Sequence, residues 1–178
     1  MPQTAVGQPA PARNPDEPPQ LATAAPDAAA EPLPRFFSHD EFAALRKLGQ
    51  ILVPAAADGR PGAEEAKAAA FLDFLLGQSP ADRQTLYRDG LRQLNEQARA
   101  RHAQSFAALT AAQAAPILAP LAEPWTYSGP ADPFARFLRA AQDDFLQATV
   151  NSRQWAQALF GRSRGAGGMG TYWFPLES

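Results

Sequence analysis

An apolar stripe with the spacing of an α-helix, lying between Ser79 and Gln113, constrains the fold more than any other feature. Its members recur at steps of four, three and four residues, as Tyr87, Leu91, Leu94 and Ala98. This spacing places them on one helical face, and most charged residues of the stretch lie off that face. Ser79 as N-cap and Pro80 as the first helical residue predict where the helix begins. A long amphipathic helix must pack its apolar side against a partner, which favours helix-on-helix packing.

Two further long segments show the same periodicity behind a clear start signal. Ser38 and Glu41 form a capping box, and the inward stripe after them ends at Val53-Pro54. Asp132 and Pro133 are suited to the N-cap and first positions of another helix. The inward positions of these two helices are Phe42, Leu45, Leu48, Gly49 and Leu52 in the first, and Phe134, Phe137, Leu138, Ala141, Phe145, Ala148 and Thr149 in the second.

Two shorter helical segments complete the pattern. Thr110 and Gln113 form a second capping box, and Pro116 should shorten the helix that they start. Asn151 and Ser152 precede a last helical turn or two that carries Trp155, Leu159 and Phe160. We therefore predict an all-α fold, a small irregular helical bundle of about five to six helices.

The remaining helix, predicted from about Ala63 to Leu76, is apolar almost all round at its end. A helix of this kind is either central in a bundle or covered by another chain. Asp73 is the one charge in its apolar part. Because charged groups are rarely buried without a partner, we expect Asp73 to mark a solvated gap in the surface rather than to pair with a basic residue.

The two ends differ in composition from this helical part. Residues 1–35 hold nine of the 18 prolines, nine alanines and no aromatic residue. Such a segment cannot bury enough apolar surface to offset its ordering entropy, so we predict a disordered Pro/Ala-rich arm. Residues 161–178 form an irregular Gly-rich, aromatic tail. The predicted organisation is an arm at 1–35, a helical domain at 36–160 and a tail at 161–178.

Bulk composition excludes several classes of function. The net charge of −2 creates no field that would recruit nucleic acid. No apolar run approaches the roughly 20 residues of a membrane span, so no direct membrane insertion is expected. The chain has no cysteine, which excludes disulfides, zinc–thiolate sites, iron–sulfur clusters and covalent c-type haem attachment. The first residues lack the features of a signal peptide and of a twin-arginine signal.

No group of polar residues forms a convincing reaction centre. The neighbours in His39–Glu41 diverge by about 100° per residue on a helix, so they cannot converge on one ion. The adjacent Asp143 and Asp144 likewise point about 100° apart and make a poor acid–base pair. His102 suits the negative end of a helix dipole. Residues 165–170 match Gly-x-Gly-x-x-Gly, but a helix rather than a strand precedes them. We predict no catalytic, cofactor-binding or metal-binding residue in this chain.

Aromatic residues outside the stripes are the candidate partner interface. They lie in the loop before Asp132, in the last predicted helix and after the C-terminal glycines: Trp125, Tyr127, Trp155, Tyr172, Trp173 and Phe174. Large aromatic side chains are frequent anchors in protein interfaces. Those of the tail either fold back onto the bundle or dock in a partner, and the sequence leaves both alternatives open.

Several stretches together resemble the gluconate 2-dehydrogenase subunit 3 family. The resemblance is carried by the opening Phe37-Ser38-x-x-Glu41, by the loop ILVPAAADGRPGA at Ile51–Ala63, and by the run PADPFARFLRAAQDDFLQATVNSRQW that ends at Trp155. It extends from about Phe36 to Trp155.

The resemblance implies a small helical subunit that binds no cofactor itself. Its implied partners are a large FAD-containing subunit of the glucose–methanol–choline oxidoreductase class and a multihaem cytochrome c, so that FAD and haem c belong to the partners. The implied role is support of the assembly, maturation or export of the flavoprotein, which is periplasmic or membrane-associated. The absence of a recognisable export signal leaves a cytoplasmic location open.

Two other functions remain open from the sequence. One is a free-standing helical interaction or structural protein with no oxidoreductase partner. The other is an independent enzyme, which would need carboxylates or a histidine converging in one pocket. Two histidines and scattered acidic residues do not supply such a set.

Overall fold

The computed structural model describes residues 36–124 and 129–163, with side chains as far as Leu159. These ranges contain α-helices and short 3₁₀ turns but no strand, which confirms the all-α fold. The arm at 1–35, the loop residues 125–128 and the tail from 164 onward lie outside the described residues. The helices are α1 His39–Leu52, α2 Ala68–Gly77, α3 Ala81–His102, α4 Ala111–Ala114, α5 Pro133–Val150 and α6 Arg153–Ser163.

Three of the predicted start signals operate as expected. The Ser38 amide donates to Glu41 Oε2 (2.8 Å), and the Glu41 amide donates back to Ser38 Oγ (3.3 Å), which completes the capping box of α1. Thr110 and Gln113 form the equivalent box before α4. Asp132 Oδ2 accepts from an amide of the first turn of α5 at 2.7 Å. These bonds satisfy backbone donors that a helix start would leave free.

The predicted start of α3 was wrong. Pro80 rather than Ser79 occupies the N-cap position. Ser79 Oγ instead donates to the carbonyl of Leu75 (2.9 Å) in the last turn of α2, and the Gln84 side chain donates to the carbonyls of Gly77 and Ser79. The connection between the two helices is so short that Ser79 serves the free carbonyls of the first helix, not the free amides of the second.

The predicted start of α2 was also wrong, since it begins at Ala68 and not at Ala63. Lys67, just before the helix, has the left-handed conformation (φ 54°), which interrupts any continuous helix through this point. The Ala63 amide donates to the carbonyl of Val53 (2.8 Å). A Cβ on Gly62 would lie 2.4 Å from the Ala55 amide nitrogen, so this close return of the chain requires glycine.

Helices α1, α3 and α5 enclose the centre of the core. The stripes predicted on them are buried, apart from the partly exposed Leu52 and Ala148. Two glycines allow close approach: a Cβ on Gly49 would meet the Phe145 ring at 2.5 Å, and one on Gly90 would meet the Phe137 ring at 2.1 Å. The rings of Tyr87 and Phe137 pack edge to face at 5.4 Å between centroids. Helix α2 packs on this centre and places one face outside it.

Candidate partner interface

Helix α2 presents a buried carboxylate on its inner side. Asp73 is 2% exposed, and its Oδ1 accepts hydrogen bonds from the amides of Phe36 (3.1 Å) and Phe37 (2.9 Å). The expectation of a solvated gap at Asp73 was therefore wrong. Backbone N–H groups of the chain entering α1 replace water around the carboxylate, which makes its burial tolerable.

The chain entering α1 is also held from α3. The Arg88 guanidinium lies over the Phe36 ring, 4.2 Å from its centroid, and donates to the Phe36 carbonyl at 3.2 Å. The Phe36 and Phe37 rings contact edge to face at 4.8 Å. The segment just before α1 is thus attached to both α2 and α3, through groups 36 and more residues away in sequence.

The outer side of α2 exposes two phenylalanines one helical turn apart. Phe71 is 52% exposed and Phe74 is 49% exposed, although both belong to the most apolar helix of the described chain. We refer to these two residues as the α2 face. The sequence left two alternatives for this helix, a central position in the bundle or coverage by another chain. The exposed outer side shows that α2 is not buried all round, and its coverage by another chain stays a prediction. A second exposed apolar pair, Leu146 and Val150, lies on α5.

Beside the α2 face lies a cleft of about 360 Å³ between α2, α5 and the start of α6, here called the α2–α5 cleft. One part of its lining is apolar: Ala66, Phe71, Leu72, Leu75 and Ala148. The polar part includes Ser152 and Arg153 together with the amide side chains of Gln147, Asn151 and Gln154. Within the part of the chain that the structure describes, these three amide side chains make no hydrogen bond. The cleft therefore combines apolar walls with available hydrogen-bonding groups.

The one carboxylate that lines the α2–α5 cleft is already engaged. Both oxygens of Asp144 accept from Arg83 Nη2 at 2.7 Å, and Asp144 Oδ2 also accepts from the Tyr87 hydroxyl. Burial, reinforced by the charge of Asp144, raises the pKa of Tyr87 well above its usual range. Tyr87 thus stays protonated and donates to the carboxylate. The neighbouring Asp143 is exposed, whereas Asp144 is partly buried.

Of the six aromatic residues predicted at an interface, Trp155 alone lies among the described residues. It is half-buried in the first turn of α6, with the Arg60 guanidinium 5.7 Å from its ring centroid. Arg60 Nε in turn pairs with Asp58 at 2.9 Å. The loop Ile51–Ala63 therefore covers part of Trp155. Trp125, Tyr127, Tyr172, Trp173 and Phe174 lie outside the described residues, and their role stays a prediction.

Phe71 and Phe74 were missing from that set. The all-round apolarity of α2 had singled out this helix, but it did not indicate which of its residues are exposed. Leu146 and Val150 were detectable only as apolar positions away from the stripe of α5.

Metal-ligand clusters and membrane-spanning helices are both absent from the described part of the chain. Residues 36–124 and 129–163 contain no group of three or more side chains able to hold a metal ion. None of the helices in these ranges is both long enough and apolar enough to cross a bilayer. The glycine motif at 165–170 lies outside them.

Comparison with known proteins identifies the helical region. The family model for gluconate 2-dehydrogenase subunit 3 matches residues 39–161, well over half of the chain. The chain belongs to the gluconate 2-dehydrogenase subunit 3 family. No curated protein and no solved structure matches it. The matched region contains α1 to α5 and nearly all of α6, and so includes the α2 face and the α2–α5 cleft. The family is named for a subunit of an oxidoreductase complex, which associates the chain with other gluconate dehydrogenase subunits.

Proposed function

We propose that this protein is a non-catalytic accessory subunit of a gluconate 2-dehydrogenase-like complex acting on a sugar or sugar acid. In this role it binds the FAD-containing subunit, of the glucose–methanol–choline class, and supports its assembly, maturation or export. FAD belongs to that subunit, and haem c belongs to a multihaem cytochrome partner.

The exposed pair Phe71 and Phe74, within a region that matches the family, carries the proposal. Aromatic residues are enriched at protein interfaces relative to the rest of the surface. Full burial of one such side chain contributes about 1.5–3 kcal/mol. Two phenylalanines on adjacent turns of one helix therefore suit a docking surface for another folded subunit.

The polar groups of the cleft support an assembly role over catalysis. The Asp144 carboxylate is saturated by Arg83 and Tyr87, and the raised pKa of Tyr87 keeps its hydroxyl from acting as a base. A general acid or base needs a pKa near the working pH and a free path to substrate. This network instead joins α3 to α5.

Co-expression tests the proposal. The FAD-containing subunit is produced with and without this chain, and its FAD content and its dehydrogenase activity with an artificial electron acceptor are measured. We expect flavin content, activity or both to fall when the chain is omitted. A flavoprotein with full FAD content and full activity in its absence would overturn the proposed function.

Matched double variants then test the surface. Phe71→Ser combined with Phe74→Ser should weaken binding of the flavoprotein by roughly 3 kcal/mol, or about 100-fold. Leu146→Ser combined with Val150→Ser removes a comparable exposed pair from α5 and should leave binding unchanged. Equal binding of the flavoprotein by the wild-type chain and by both double variants would show that the α2 face is not the interface.

A further inference from the structure

The α2–α5 cleft has the shape and chemistry of a receptor for aromatic side chains. Its volume of about 360 Å³ falls in the range of small-ligand sites. Phe71, Leu72 and Leu75 supply apolar contact, while the amides of Gln147, Asn151 and Gln154 are available as donors and acceptors. Tyrosine and tryptophan need both, because each combines an apolar ring with one polar group that seeks a hydrogen bond when buried.

The same chain carries such a segment shortly after α6 in the sequence. Tyr172, Trp173 and Phe174 follow α6 after a spacer with glycine at 165, 167, 168 and 170. Glycine adopts backbone conformations closed to other residues, so this spacer permits a sharp reversal of direction. We propose that Tyr172–Phe174 occupies the α2–α5 cleft of its own chain.

The reach of the spacer is sufficient. The cleft borders the start of α6, at Ser152–Gln154. The spacer begins at the opposite end of α6, after Ser163. Helix α6 has 11 residues, so the chain must return about 16 Å along it. The eight residues 164–171 span up to about 26 Å when extended. A spacer of this length therefore suffices for the aromatic residues to return to the level of the cleft, with length to spare for the turn.

Attachment to the same chain favours this occupant over a separate molecule. A short linker gives an effective concentration in the millimolar range, so even a weak intrinsic affinity fills the cleft. The occupied cleft would add aromatic surface next to Phe71. Docking of the segment within one chain needs no partner subunit.

The chain has no cysteine, which allows an unambiguous test on the full-length protein. A nitroxide spin label is attached to Asp143→Cys, at an exposed residue one turn before the cleft-lining Gln147 that does not itself line the cleft, and in a second sample to Gln93→Cys. Gln93 is an exposed residue of α3 that lines a different hollow, between α3 and α5. The readout is the intensity of the three tryptophan indole N–H signals in ¹⁵N spectra, with Trp173 assigned by Trp173→Phe. Trp155, at the start of α6, is the internal reference for a group near the cleft.

We expect the label at 143 to remove most of the indole intensity of both Trp155 and Trp173, and the label at 93 to leave Trp173 unchanged. Retention of the Trp173 signal with the label at 143 would overturn the proposal and leave the cleft to another molecule. Equal loss from both labels would also overturn it, because it would indicate non-specific contact.

A mixing experiment separates an intramolecular contact from a second copy of the chain. Spin-labelled protein without ¹⁵N is mixed with unlabelled ¹⁵N protein. Full Trp173 intensity in this mixture supports docking within one chain. Loss of Trp173 intensity in the mixture would overturn the proposal in favour of exchange of the segment between copies.

Discussion

Helices α5 and α2 are both rich in large apolar residues, yet they use them differently. In α5 the predicted stripe faces inward, and Phe137 and Phe145 are fully buried against the glycine-lined surfaces of α3 and α1. In α2 the inner side buries Leu72 and Leu76 together with a carboxylate, and the outer side exposes Phe71 and Phe74. Apolar content alone therefore does not measure burial. An excess of apolar residues around a helix indicates a surface available for another contact.

A substitution at the tightest contact of α5, between Gly90 and Phe137, should give the largest loss of stability. Gly90→Ala places a Cβ 2.1 Å from Cγ of Phe137, and neither the ring nor the helix has room to move in a close-packed core. We expect a loss of about 3 kcal/mol in the free energy of unfolding, measured by urea denaturation.

Gly77→Ala is the matched control on α2. Its new Cβ would lie 3.3 Å from Cβ of Phe36, a contact that a small shift relieves. The change should be about 1 kcal/mol or less. Equal losses at Gly90 and Gly77 would show that the contact between α3 and α5 tolerates an added methyl group as well as the end of α2 does.

The carboxylate on the inner side of α2 comes next. Asp73→Ala removes the acceptor of the Phe36 and Phe37 amides and leaves two donors unsatisfied at a largely buried site. We expect a loss of about 2 kcal/mol in unfolding free energy. Asp143→Ala, at an exposed aspartate of α5, should change it by less than about 0.5 kcal/mol. Similar values for the two variants would mean that Asp73 contributes no more than a surface charge.

The hydrogen bond from the Tyr87 hydroxyl, which joins α3 to α5, should make a smaller contribution to the unfolding free energy, and this contribution should depend on pH. Because folding raises the pKa of Tyr87, the unfolded chain loses this proton first, above its ordinary pKa of about 10. The corresponding stability is present below that pH and is lost as pH rises, by up to about 1.4 kcal/mol per pH unit. Tyr87→Phe lacks this dependence.

The measurement is the unfolding free energy of both proteins between about pH 9 and about pH 11. As the pH rises, the unfolding free energy of the wild-type protein should fall relative to that of Tyr87→Phe. Parallel curves would contradict the raised pKa.

The smallest effect is expected on the outer side of α2. Phe71→Ser should lower the unfolding free energy by less than about 1 kcal/mol, because Phe71 is half-exposed in the isolated chain. Leu72→Ser, at the adjacent buried position, should cost about 2–5 kcal/mol. A large loss at Phe71, measured by the same urea denaturation, would show that the α2 face contributes to the core and is not available to a partner.

The candidate site was predictable only in part. The sequence marked α2 as too apolar for an ordinary surface helix, and this is the helix that exposes Phe71 and Phe74. It also selected Trp155, but not the cover that Arg60 provides from the distant loop Ile51–Ala63. The identity of exposed residues depends on how α2 is rotated on its neighbours, which no local pattern contains.

What the sequence determined by itself are the features that depend on residues within one or two helical turns. The capping boxes at Ser38 and Thr110, the N-cap at Asp132 and the inward stripes follow from hydrogen bonds and periodicity over a few positions. Only the tertiary structure decided the burial of Asp73 by amides 36 and 37 residues away, the pairing of Arg83 with Asp144, and the close approach of Gly90 to Phe137. These contacts arise because packing brings distant segments together, and solvation of a charge or tolerance for a side chain is set by those neighbours.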